Sequence, residues 1–280
     1  MSPNMINKQH IKYYSANGED YLLWQFFDFK ENGLYLDIGA FDGIHFSNTY
    51  SFELQGWKGV CVEPNPIFFP YLTQNRPASN CLQSACVSDI TKSEIDMFCE
   101  ELGLLSTTYK TPDYENFVAG RYKKRGLTFN GLKKVTVPAI TIDEVIARYF
   151  PAGNSIDIVS IDVEGAEMDV LKSFDVKRYN PGIIVIESNH PEQTEKMIDY
   201  LATVHRYLYA GTLMENLFFV RTKTEVEKIR AIQIDCKIEP QIHPLGERFT
   251  PGQYIKGIII NKEKKHRLKW KSADPYKGLA

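Results

Sequence analysis

Residues 34–63, LYLDIGAFDGIHFSNTYSFELQGWKGVCVE, decide the fold. An apolar run, Leu34-Tyr35-Leu36, ends at Asp37, and a turn carrying Gly39 and Gly43 follows. Mixed residues continue to a stop at Gly56, after which a second apolar run, Val60-Cys61-Val62, ends in Glu63. Strand, glycine turn, helix and a strand with a terminal acid make the first half of a nucleotide-binding α/β sheet. Glycine in the turn lets a ligand approach the backbone, because it has no Cβ in the way. An acid at the second strand's tip is placed to accept both hydroxyls of a ribose.

Two ligand classes suit this layout. A dinucleotide site needs G-x-G-x-x-G, with the pyrophosphate at the helix N-terminus. Here the turn is Gly39-Ala40-Phe41-Asp42-Gly43, so Phe41 stands where the middle glycine belongs and Asp42 lies inside the loop. Two carboxylates, Asp37 and Asp42, would repel a pyrophosphate but suit the ammonium group of S-adenosylmethionine. S-adenosylmethionine is the better reading. The bland alternative is a glycine turn that only packs a helix.

A chain of 280 residues makes one large domain, or one domain with additions. A formal net charge of −2 gives no overall field toward nucleic acid or anionic membrane. The five cysteines (61, 81, 86, 99 and 236) form no C-x-x-C pair and no zinc-spaced cluster, as expected of reduced thiols in a cytosolic protein. The opening MSPNMINKQHIKYY lacks a signal-peptide core, and no run reaches the roughly 18 apolar residues of a membrane span. A cytoplasmic location without membrane contact is the expectation.

Around the opening stretch the chain alternates strands and helices. Leu22, Leu23, Phe26, Phe27 and Phe29 follow helical spacing, and Glu19 and Asp20 fall in that helix's first turn, either as dipole partners or as ligand-facing acids. A short helix is expected over 67–75 and a third strand over 81–87, where Ala85, Cys86 and Ser88 would border an adenine. Residues 94–99 alternate as a strand. Residues 101–134 break the pattern and read as a substrate loop or lid. Within them Arg121, Lys123, Lys124 and Arg125 surround Tyr122; they form either a solvated face or a hold on a diphosphate or carboxylate. Residues 135–142 are extended, with Pro138 suggesting an edge strand, and Asp143 is expected to cap the next helix. Two buried strands follow, one ending at Asp162 and one at Glu187, Asn189 and His190. A helix and a closing hairpin complete about seven strands. The main α/β domain is expected over 1–223, with 224–280 as an accessory extension.

These residues resemble the FkbM-type family of S-adenosylmethionine-dependent methyltransferases. The matching pieces are Asn17-Gly18-Glu19-Asp20, Asp37-Ile38-Gly39-Ala40-Phe41-Asp42-Gly43, Ser47-Asn48-Thr49, Gly56-Trp57-Lys58-Gly59 and Glu63-Pro64-Asn65-Pro66, then Ala139-Ile140-Thr141-Ile142-Asp143 and Ile161-Asp162-Val163-Glu164-Gly165-Ala166-Glu167. The resemblance implies a Rossmann-like class I methyltransferase fold: an α/β, seven-stranded, mostly parallel sheet with an antiparallel last strand. It implies methyl transfer, most often to a hydroxyl of a sugar, which could be nucleotide-linked, a polyketide or a similar small metabolite. By carry-over, Glu19, Asp37, Gly39, Ala40, Asp42, Gly43, Asn48 and Thr49 belong to the cofactor site. Glu63 would hold the ribose, with Pro64 and Asn65 beside it, and Phe41 departs from the small or polar residue usual there.

An alcohol is a poor nucleophile, so a base or a metal should take or polarise its proton. Asp162, Glu164 and His190 are the catalytic candidates. Alternatively Asp162 and Glu187, with Asn189, hold magnesium or manganese, which hard oxygen ligands suit. Glu167 reads as a helix-start acid. Two other classes compete: a nicotinamide-dependent oxidoreductase, disfavoured by Phe41 and the acids, and a non-catalytic binding protein that keeps the fold. RNA methylation is disfavoured by the balanced charge and the lack of an aromatic–basic platform.

Overall fold

The strands carry apolar residues on both faces, so each face needs its own cover. The computed structural model describes residues 11–150, 155–188 and 191–232. In chain order the first elements are α1 (Glu19–Phe26), β1 (Leu34–Ile38), α2 (Tyr50–Glu53), β2 (Lys58–Val62), α3 (Phe69–Asn75) and β3 (Asn80–Leu82). There follow β4 (Ala85–Cys86), β5 (Glu94–Cys99), α4 (Tyr114–Lys124), β6 (Lys133–Ile140), α5 (Ile142–Tyr149) and β7 (Ile158–Ile161). Last come α6 (Glu167–Lys172), α7 (Val176–Tyr179), β8 (Ile183–Glu187), α8 (Pro191–His205), β9 (Leu208–Leu213), β10 (Asn216–Val220) and α9 (Lys223–Ala231).

Seven strands form one sheet in the order β3-β2-β1-β7-β8-β10-β9. β3, β2, β1, β7 and β8 run parallel, and β10, the last strand in the chain, lies antiparallel between β8 and β9. The chain winds outward from β1 in one direction and returns to its other side at β7. That reversal opens a crevice at the carboxyl ends of the parallel strands, where ligands bind in sheets of this kind. This is the Rossmann-like α/β fold expected.

Alternating strand residues fill the two faces. Leu36, Val60, Val159, Ile161 and Ile184 pack with Val145, Leu171 and Met197 of α5, α6 and α8. Tyr35, Cys61, Ile158, Val185 and Phe218 pack with Leu22 and Trp24 of α1 and Ile229 of α9. Trp24 stacks on Phe52 at 4.2 Å and donates to Ser51 Oγ at 3.0 Å, so its polar edge is satisfied inside the core.

Four local expectations change. The third strand splits: 80–82 joins the main sheet, while Ala85–Cys86 pairs with β6 in a second sheet of order β4-β6-β5. There β6 is central, not an edge. Ala139 N–H points to Ser93 O at 2.8 Å, so the Pro138 nitrogen points the other way, just before β4 begins opposite Ala139, and its missing proton breaks no bond. The α5 cap is Thr141, in a reciprocal box with Glu144; Asp143 instead accepts from Asp175 N. Finally, residues 101–134 contain a helix of three turns, α4. α9 packs its Val226 and Ile229 into the domain core. Of the expected accessory extension, residues 233–280 lie outside the described residues. Among the described residues no helix is long and apolar enough to cross a membrane.

Candidate active site

β1, β2 and β7 end side by side, and a single cavity runs along their tips. Asp37, Gly39, Ala40 and Asn48 line it from the β1 side, and Glu63 and Pro64 from β2. Ala85 and Cys86 form an apolar wall beyond. The Glu63 carboxylate accepts Phe41 N at 2.9 Å through Oε2 and Asn65 N at 2.7 Å through Oε1. One lone pair on each oxygen is thereby fixed, and the other remains to receive a hydroxyl. Burial pushes the Glu63 carboxyl up to about 8, against those two bonds. Phe41 takes a left-handed conformation (φ 51°) that turns its ring onto Phe68, with centroids 4.4 Å apart.

The other expected cofactor residues do not face the cavity. Asp42 spends its carboxylate on its own loop, accepting Ile44 N and His45 N at 2.9 Å each and meeting His45 Nδ1 at 2.7 Å. The expected Asp37–Asp42 pair is therefore one acid, Asp37. Gly43 (φ 84°) packs on Arg76, whose Cγ would lie 2.5 Å from an added Cβ. Thr49 donates to Asp37 Oδ2 at 2.5 Å, and Asn65 donates to Ser106 at 3.2 Å. Glu19 is fully buried behind the wall, gripped by asparagines. Gly39 serves a different approach from the one expected: a Cβ there would sit 1.6 Å from the Asp162 carbonyl oxygen, so the glycine lets β1's loop meet β7's.

The far end of the cavity belongs to β7 and β8. Asp162, Glu164 and Glu187 each place a carboxylate oxygen within 4.8 Å of the others, and all three line the cavity. Asp162 is open to water through the cavity yet ringed by protein. Burial raises its pKa; a hydrogen bond with Glu187 opposes that, and Asp37 adds to it. Burial and the charges of Asp162 and Glu164 hold Glu187 well above the usual carboxylate range. Burial and Asp162 do the same to Glu164, with Arg121 the opposing cation. The hydrogen bond between them favours the charged form of Asp162 and the neutral form of Glu187. Among the described residues, Glu187 Oε2 is buried without a hydrogen-bond partner. Asn189 and His190 lie outside the described residues. Glu167 turns away, accepting Gly165 N at 2.8 Å at the start of α6, as its position suggested.

A roof closes over this end. The Glu100 carboxylate, buried, accepts Leu102 N at 2.7 Å and Leu105 N at 2.9 Å and pairs with the Tyr122 hydroxyl, folding the 100–106 loop onto α4. Thr107 Oγ1 donates to the Glu164 carbonyl at 2.7 Å, and Tyr114 OH to Leu105 O at 2.8 Å. Of the basic cluster, Arg121 lines the cavity, while Lys123, Lys124 and Arg125 are exposed on α4.

The sequence pattern of the methyltransferase FkbM domain matches residues 37–210, more than half of the chain. The chain belongs to the FkbM methyltransferase family. As a member it is a methyltransferase, which favours methyl transfer over the nicotinamide-dependent and binding-only readings. It is 24% identical to methyltransferase sdnD of Sordaria araneosa, over 71% of this chain and 87% of that protein. Two solved structures are more distant. A candidate RNA methyltransferase from Pyrococcus horikoshii shares 13% identity at a TM-score of 0.38, covering 78% of this chain and 93% of its own. A TehB-like SAM-dependent methyltransferase from Corynebacterium glutamicum shares 11% at 0.36, covering 74% and 88%. Neither says anything of this FkbM protein's acceptor.

Two participants in this FkbM site escaped the sequence reading. Arg76 is fully buried and ties Glu53, Gly43, Ser47 and Thr49 together. Asn216, on β10 opposite Glu187, lines the cavity. No motif marks Arg76, and Asn216 sat in what read as a turn.

Proposed function

We propose that this chain transfers a methyl group from S-adenosylmethionine to a hydroxyl of a sugar, free or nucleotide-linked, or of a comparable small metabolite. One observation carries the reading: the cavity runs unbroken from Glu63 past Asp37 to Asp162, at the tips of three adjacent strands. Glu63 is placed to accept the ribose hydroxyls, Ala85 and Cys86 to border the adenine, and Asp37 to face the α-ammonium. In transfer the acceptor oxygen attacks the methyl carbon in line with the sulfonium. When bound, the cofactor would supply the methyl carbon, the C–S electron pair staying with sulfur as the O–C bond formed, and the Asp162–Glu187 pair would take the acceptor's proton. Holding the oxygen against the methyl replaces a bimolecular encounter with a fixed geometry. A carboxylate whose pKa is raised is also a better matched proton acceptor than an ordinary one.

The buried Oε2 of Glu187, without a hydrogen-bond partner among the described residues, supports a second reading in place of the base: a divalent cation held by Asp162, Glu164 and Glu187. Three hard oxygen ligands suit magnesium or manganese. When bound, the ion would supply Lewis-acid polarisation of an acceptor hydroxyl. Calorimetry with S-adenosylmethionine tests the cofactor, and labelled methyl transfer to a panel of sugars and nucleotide sugars, with and without a chelator, tests the acceptor. Absence of cofactor binding refutes the reading, and transfer only to nitrogen acceptors refutes the hydroxyl. Independently of turnover, Mn²⁺ should raise the melting temperature of the wild type and not of Glu187→Gln; equal shifts would remove the ion from this site.

A further inference from the structure

Glu19 was expected at the cofactor, yet its carboxylate never reaches the cavity. It is fully buried at the start of α1, and both of its oxygens accept hydrogen bonds. Oε1 accepts Asn17 Nδ2 at 3.0 Å and Asn216 Nδ2 at 2.9 Å, and Oε2 accepts Asn17 N at 2.7 Å. Burying a carboxylate is costly unless its hydrogen bonds repay it. Asp20 is a second acid in the same first turn of α1.

An ionised carboxylate can only accept. Each asparagine must therefore turn its NH₂ toward Glu19, which fixes the direction of its carbonyl oxygen. Asn17 and Asn216 both line the cavity and are only half-buried, and among the described residues neither Oδ1 accepts a hydrogen bond. Asn216 is the direct cross-strand partner of Glu187, so the two side chains share one face of the sheet. The wall they join is acidic, with Asp37, Asp162 and Glu187 on it. Two carbonyl oxygens aimed beside such acids complement a cationic donor.

We propose that Glu19 is a positioning residue: it orients the Asn17 and Asn216 amides so that both carbonyl oxygens receive the α-ammonium of the cofactor's amino-acid arm. This rests on the cofactor assignment above. Replacing Glu19 by glutamine keeps the shape but substitutes one acceptor end by a donor. Its NH₂ then lies either against both asparagine amides, so that one must flip or lose its bond, or against the Asn17 N–H, so that the Asn17 backbone is displaced; either way the pair of carbonyl oxygens is disturbed.

Calorimetry should compare two probes on the wild type and on Glu19→Gln. S-adenosylhomocysteine carries the ammonium, and 5′-methylthioadenosine carries the same nucleoside without the amino-acid arm. Losing one hydrogen bond to a charged group weakens binding roughly 10- to 100-fold. Glu19→Gln should weaken S-adenosylhomocysteine by about that factor and leave methylthioadenosine within about twofold. Asn216→Leu should reproduce the same split, and the melting temperature of each variant establishes that it is folded. Equal weakening of both probes would make Glu19 merely structural, and unchanged S-adenosylhomocysteine binding would also overturn the proposal. Loss of Mn²⁺ binding with S-adenosylhomocysteine unaffected would reassign the amides to a metal and overturn it as well. Failure of the wild type to bind either probe would instead sink the cofactor assignment itself.

Discussion

Replacing Arg76 by methionine should be the most damaging single change outside the cavity. The guanidinium is completely buried and donates to Glu53 at 2.7 Å, Gly43 O at 3.0 Å, Ser47 at 3.3 Å and Thr49 at 2.9 Å, with Asp37 at 3.9 Å. Burial pushes Glu53 up, but Arg76 and the hydroxyls of Ser79 and Tyr35 outweigh it, so its net shift is downward. Methionine fills most of the volume but strands both Glu53 and Asp37 without a counter-charge. Breaking a buried pair from one side costs about 3–5 kcal/mol. At about 2–4 °C per kcal/mol for a domain of this size, the melting temperature should fall by roughly 6–20 °C. Arg76→Lys, which keeps the charge and loses the fork, should fall between the two. Because Thr49 links Arg76 to Asp37, Arg76→Met should also weaken S-adenosylmethionine binding in calorimetry at a temperature where it is folded. Urea denaturation measures the first effect. A loss under about 1 kcal/mol would refute the claim that this arginine ties the β1 loop to the sheet.

Other outcomes follow from the same geometry. Gly39→Ala should give little folded protein, since its Cβ would collide with the Asp162 carbonyl at 1.6 Å; Gly56→Ala meets nothing within 4 Å and should lose only about 1 kcal/mol to its positive φ, as urea titration would measure. In the ligand-free protein Glu63 (up to about 8, from 4.5) and Asp20 (up to about 6, from 3.8) both bind protons more tightly folded than unfolded. Their contribution is therefore greatest at low pH, and stability should fall as pH rises from about 4 to 8. Glu63→Gln should flatten the upper part of that slope in urea titrations, and an unchanged slope would contradict it. Thr107→Val removes the donor to the Glu164 carbonyl and should cost about 1–3 kcal/mol while leaving cofactor binding at the Glu63 end intact. Calorimetry that showed a large loss there would mean the roof and the cofactor half are coupled.

The parallel half of the sheet was legible because each buried strand is an apolar run stopped by an acid. Asp37, Glu63, Asp162 and Glu187 all lie where that pattern put them, at strand tips. The third strand was misread because Gln83 and Ser84 interrupt the pairing without interrupting the extended pattern. α4 was hidden although Tyr114, Phe117, Val118 and Tyr122 have helical spacing, since Gly120 and the basic residues from Arg121 onward dilute it. Arg76 left no trace because its partners come from the β1–α2 loop and α2, distant in sequence and in no repeating order.

What sequence pattern cannot do is sort the acids, and the structure sorts them by one criterion. Asp20 accepts Tyr14 N, Ser15 Oγ and Tyr21 N; Asp42 accepts Ile44 N and His45 N; Glu167 accepts Gly165 N. Their oxygens are spent on loops and helix starts, and such acids are scaffold. Glu63 has one lone pair per oxygen spent, and among the described residues Glu187 Oε2 has none. Those are acids the fold leaves short of partners while burial drives their pKa upward. An unrepaid desolvation cost in a native site is a sign that a ligand completes it. Here the shortfall is graded along the cavity. At the β2 tip two hydroxyls would complete the site. At the β7 and β8 tips three carboxylates face a single point, which calls for a proton or a cation. The proposed methyl transfer to a hydroxyl would use both ends, a ribose held at one and a proton removed at the other.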